Sequence, residues 1–279
     1  MMFAAATDHT CLDAGHVVDF ANKAFELLDH IGWEHADQVL TSIVHGMAGA
    51  RRSQELSSWR SPIDIASLVW EAREELSALI ESSVRSNDPW LGEALLARQM
   101  LGDGPAAILD SIKEAIRSGA SAEALGSTVA YAAFLRMAHF HTSNEFRDWD
   151  TVHNTLTAAN ALHQALRRAP SVELLRGVFD IAMSIYLDRF LNMPPQRIPE
   201  PESGTVDGRT LLAELLERID VRQQVEEVAQ IVSRYISGAG DHEALQATLG
   251  RLVLMEDSDF HAFQILDAGF KQFQPRQEP

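Results

Sequence analysis

The sequence predicts an all-α protein, a single multi-helix bundle, and three observations predict it. Alternating runs of Val, Ile, Thr and aromatic residues, which mark strands, are nearly absent. Ala, Leu and Glu recur instead at the spacing of amphipathic helices. Helix starts and stops are also legible, as a cap residue or proline in front and a glycine behind.

Taken in order, the first helices span 14–31, ended by Gly32 in "HIGWEHAD", and 34–52. "SPID" sets Ser61 as N-cap and Pro62 at the first helical position of 63–86, and "NDPW" repeats this with Asp88 and Pro89 for 89–101. The helix 104–118 stops at Gly119, and Ser121 with Glu123 opens 122–146. Asp148 caps 149–168, and Ser171 with Glu173 opens 172–192. Residues 192–208, "NMPPQRIPEPESGTVDG", form the one long loop, because their prolines bar a helix. Asp207 opens 209–238, which contains a break, and Asp241 precedes two more helices reaching 274. The sum is roughly ten helices in one domain, 13–274, between flexible ends at 1–12 and 275–279.

Composition removes several functions. A net charge of −17 over 279 residues opposes binding to nucleic acid or anionic lipid, since both need clustered Lys and Arg. The single cysteine, Cys11, excludes an internal disulfide, a cysteine-ligated iron–sulfur cluster and a CxxC motif, and a cytoplasmic location is expected. With Cys11 near a terminus expected to be mobile, thiol catalysis is a poor reading. No run of 18 apolar residues occurs, so no membrane span is expected. Serine-hydrolase, Walker and dinucleotide-binding motifs are missing, as is H-E-x-x-H.

The histidines are unevenly placed. None lies between 46 and 138, whereas His139, His141, His153 and His163 crowd one stretch, "HFHTSNEFRDWDTVHNTLTAANALHQAL". His141 and Glu145 share a face if the helix runs that far, and Trp149, His153, Leu156, Asn160 and His163 form one stripe on the next. Burying Asn and imidazoles without partners costs on the order of 1–3 kcal/mol each. The stripe therefore either lines a polar site or has its hydrogen bonds met. The reading is a metal-dependent redox enzyme, a non-haem iron oxygenase acting on a small, partly apolar substrate. Its ligands would be His141, Glu145, His153 and His163, completed by His35 or His261, with Asp148, Asp150 and Asn160 orienting the imidazoles. Trp33 and Trp149 would wall the pocket. The alternatives are haem on one histidine, metal-free chemistry with His153 or His163 as base beside Asp150 or Glu145, and a non-catalytic helical binding domain.

Four segments carry a likeness: "ANKAFELLDHIGWEHADQVL", "HTSNEFRDWDTVHNTLTAANALHQALRRAP", "LLRGVFDIAMSIYLDRFLNMPP" and "EDSDFHAFQILDAG". Over about 14–274 the chain resembles a bacterial all-helical domain that often sits amino-terminal to a Rieske iron–sulfur module, and more loosely questin-oxidase-like proteins, which are associated with oxidative ring opening. The resemblance implies an electron-transfer partner. Because the chain has no Cys and His ligands for a Rieske centre, that donor would be a separate protein. The apolar face of 122–140 suits packing either within the bundle or across a dimer.

Overall fold

The computed structural model describes residues 1–56, 63–84, 88–200, 207–221, 224–238 and 241–273. All regular structure among them is helical, as the periodicity requires. The chain groups into two compact units, the first comprising Met1–Met137 with Glu145–Met193, the second Ala138–Asn144 with Pro194–Pro279. This division contrasts with the one domain expected over 13–274.

The first unit contains α1 (Met2–Ala6), α2 (His16–Ile31), α3 (Ala36–Ala48), α4 (Ser53–Leu56), α5 (Ile65–Glu81), α6 (Glu93–Met100), α7 (Pro105–Arg117), α8 (Ala122–Ala138), α9 (Phe146–Arg168) and α10 (Val172–Leu187). A 3-10 turn, Asp188–Asn192, continues α10. Helices α9 and α10 form the hub: α2 lies along α9, while α5 and α7 pack on α10. Leu156, Leu162, Phe179 and Ile185 are wholly enclosed there. In the second unit, α11 (Gly208–Ile219), α12 (Val225–Gly238) and α13 (His242–Met255) surround a small core of Leu211, Leu215, Ile231, Tyr235 and Leu245, and α14 (Phe260–Phe273) packs on α13. His139 Nδ1 and the Gln196 carbonyl lie 2.8 Å apart, and the Gln196 N–H donates to the His139 carbonyl, which ties 138–144 to the loop beginning at 194.

Most of the punctuation holds. The side chains of Ser121, Ser171, Asp207 and Asp241 each accept the N–H three residues on, and Gly119 takes a φ of +91°. Ser61 and Pro62 lie outside the described residues. Several boundaries differ: α3 ends at Ala48 and α5 at Glu81, short of the expected 52 and 86, and three more differ as follows. Helix α6 starts at Glu93, because the indole of Trp90 folds over Gly92 and holds 90–92 out of the helix. Helix α8 ends at Ala138: beyond it Ser143 N–H and Asn144 Nδ2 donate to Nδ1 and the carbonyl of His141, a local turn that competes with the helix. Helix α9 is capped by Glu145, three residues before Asp148.

The amino end departs furthest from expectation. Thr7 and Thr10 are 2% and 0% exposed, and Thr7 donates to the carbonyl of Glu173 at 2.8 Å. Residues 7–15 are a packed strap. Of the carboxy-terminal segment, 275–279 lie outside the described residues.

Candidate functional site

The structure distributes the histidine-centred candidates instead of gathering them. Glu145 and Asp148 form a reciprocal capping box at the start of α9, in which the Asp148 carboxylate accepts the Glu145 N–H at 3.0 Å. Asp150 is exposed. His141 sits in the turn after α8, bonded to Ser143 Oγ at 2.7 Å, so it shares no helical face with Glu145. His35 is exposed on a short 3-10 turn, and Trp33, meant as a pocket wall, is 50% exposed. His261 belongs to the second unit and faces Asp259 and Phe260.

The α9 stripe does turn inward along its length. His153 is half-buried against Trp149, with ring centroids 5.8 Å apart, whereas Asn160 and His163 are 2% and 3% exposed. All three have interaction partners. His163 backs onto α8, where a Cβ at Gly126 would sit 3.1 Å from its Cα. Among the described residues, no group of three or more His, Cys, Asp or Glu side chains is placed to hold a metal ion. The expected ligand set thus does not assemble among the described residues.

A different constellation does assemble, on α10. Asp180, Ser184 and Asp188 follow at four-residue steps and make a polar stripe on a helix otherwise rich in apolar side chains. Arg73 of α5 donates through Nη2 to both oxygens of Asp180, at 2.6 and 2.5 Å. Both partners are nearly enclosed, at 6% and 5% exposed. The Cys11 thiol lies 3.4 Å from the Asp180 carbonyl and from Ser184 Oγ. Thr155 of α9 donates to Asp188 Oδ2 at 2.7 Å. Arg136 of α8 spends its guanidinium on the carbonyls of Ile185 and Leu101 and on Asn192 Oδ1.

Burial sets the electrostatics. It pushes the Asp180 carboxyl up to about 6, against the opposing pull of Arg73. Burial pushes Asp188 to about 7, against the Thr155 hydroxyl and the charge of Arg136. It pushes the Cys11 thiol to about 12, helped by the neighbouring Asp180 charge. A thiol so raised is a poor nucleophile at neutral pH, while burial holds both carboxyls above the ordinary carboxylate range.

Between these groups lies a cavity of about 30 Å³, bordered by Cys11, Thr155, Asp180 and Ser184 with apolar surface from Val18, Ala158 and Leu162. That is about one water's share of liquid volume. The strap covers it with a strained backbone: Cys11, Asp13 and Ala14 have φ of 49°, 47° and 57°. Left-handed conformations of that kind cost non-glycine residues on the order of 1–2 kcal/mol each. The anchors that maintain them are the Asp13 N–H to the Arg51 carbonyl at 2.8 Å, and Thr10 N–H to Glu55 at 2.9 Å. Gly15, with φ +95°, lies where a Cβ would be 2.5 Å from that of Ala158. The polar stripe D-x-x-x-S-x-x-x-D is visible in the sequence, but Arg73, 107 residues away, is not.

No family model matches this chain, nor does a curated protein or a solved structure. No helix among the described residues is long and apolar enough to cross a membrane.

Proposed function

We propose that the first unit binds a small polar molecule at the α10 stripe and exchanges protons with it through Asp180, by metal-free acid–base chemistry. One observation carries this reading: Asp180, enclosed and bonded to Arg73, borders the cavity beside the Ser184 and Thr155 hydroxyls, and a second enclosed carboxyl, Asp188, follows two turns on along the same helix face, bonded to Thr155. Arg73 keeps the ionised form of Asp180 within reach at neutral pH, so the group can take a proton and return it. Ser184 and Thr155 supply hydroxyls at the cavity wall. Because the cavity is water-sized, a ligand enters by lifting the strained strap, whose relaxation offsets part of the cost.

The test is a thermal-shift screen of polar fragments against the wild type and a Ser184→Leu variant that fills the cavity. Fragments that stabilise the wild type alone support the reading. An Asp180→Asn variant should then keep binding but lose proton uptake measured by calorimetry in two buffers. If no fragment distinguishes the two proteins, the proposal fails. A second reading then stands, favoured by the small cavity: a non-catalytic helical domain in which Arg73–Asp180 only fastens the strap. Iron content on purified protein is measured alongside. About one iron per chain would restore the oxygenase reading, and with it the separate Rieske-type electron donor; that reading would place its ligands in an arrangement other than this one.

A further inference from the structure

A second concave surface in the first unit is independent of the α10 stripe. It is a groove of about 530 Å³ between α6 and α7, within the range of small-molecule sites. One wall is Trp90 with Leu95; the other is α7, with Asp110, Glu114 and Arg117. The indole is held in place before any ligand arrives. Its Nε1 donates to Ser118 Oγ at 3.1 Å, and its ring lies over Gly92, where a Cβ would come within 2.3 Å of Cζ2. Glycine at 92 is what lets the ring lie flat there.

The α7 wall carries two carboxylates and one guanidinium. Asp110 and Glu114 are 74% and 72% exposed; Asp110 has Lys113 at 3.8 Å, itself held closer by Glu75 at 2.8 Å, while Glu114 accepts from Arg117 at 3.4 Å. Asp110 is thus the carboxylate more open to a further cation, and Glu114 shares its charge with an exposed guanidinium. Leu95 is 64% exposed at the rim, so the groove also offers apolar surface to a chain. A fixed aromatic face beside loosely paired carboxylates matches a cation that carries hydrocarbon.

We propose that this groove binds an organic cation with a short alkyl chain, its quaternary ammonium or guanidinium head over Trp90 and its charge facing Asp110 and Glu114. Calorimetric titration with hexyltrimethylammonium, using hexanol and hexyl sulfate as controls, tests it. Saturable binding of the cation alone is expected, weakened about tenfold in Trp90→Ala and retained in Trp90→Phe. Gly92→Ala, whose methyl displaces the indole, should weaken binding as Trp90→Ala does, with the helical circular dichroism unchanged. Asp110→Asn with Glu114→Gln should also weaken it and flatten its salt dependence. Absence of binding, equal binding of hexanol, or full affinity in both Trp90→Ala and Gly92→Ala overturns the proposal.

Discussion

At the scale of single residues, the informative groups are those placed against their own preference. Asp188 is a carboxyl 1% exposed whose folded-state pKa, about 7, stands above its ordinary value. The folded protein therefore holds that proton more tightly than the unfolded chain. The associated stability is fully present below the unfolded pKa near 3.8 and is lost as pH rises through about 7. Asp188→Asn, which keeps an acceptor for Thr155, should match the wild type in urea melts at pH 4 and exceed it at pH 8. An equal gap at both pH values would show that Asp188 is not held protonated. Ala14 poses a backbone version of the same problem, with φ 57°. Ala14→Gly should raise stability by up to about 1 kcal/mol, the left-handed penalty less the entropy glycine adds. Gly15→Ala meets both a positive φ and the Ala158 methyl, and should cost on the order of 2–4 kcal/mol in the same melts.

At the scale of elements, α9 shows how one local device can be read as another. Acidic residues crowded before a helix serve equally as ligands or as caps, and the spacing Glu145–Asp148 suits a capping box. Glu145→Ala should therefore cost about 1 kcal/mol of unfolding free energy and leave metal content unchanged. A loss of bound metal in that variant would return Glu145 to the ligand role. The strap makes the opposite point. Its sequence looks like a dispensable terminus, yet its hydrogen bonds reach α4, α10 and the carbonyl of Arg51. Replacing Arg73 with Leu leaves Asp180 buried without its cation. The Cys11 thiol should then react with a maleimide measurably faster than in the wild type as the strap loosens.

At the scale of the whole molecule, charge dominates. A chain of net −17 repels itself, although some of its cations are held in pairs such as Arg168–Asp29 and Lys113–Glu75. Raising sodium chloride from about 0.01 to about 0.3 M shortens the screening length severalfold and should raise the melting temperature. A falling melting temperature would mean that attractive pairs outweigh the repulsion.

What the sequence determined by itself is the class of fold and most of its punctuation. Periodicity and caps are local, and the bonds at Ser121, Ser171, Asp207 and Asp241 close within three residues. It also showed that Asn160 and His163 belong to an inward stripe, since an apolar neighbourhood on one helix face is itself a periodic signal. The placement of His141 and Glu145 was not legible. It depends on whether α8 continues past Ala138, and side-chain bonds to the His141 turn settle that. The α10 stripe with its arginine was decided only in three dimensions. Arg73, Cys11, Thr155 and Asp180 lie on four different segments, and nothing in spacing along a chain records which side chains a core will press together. The raised carboxyls follow from that placement, because desolvation is a property of the packed interior and not of the residue.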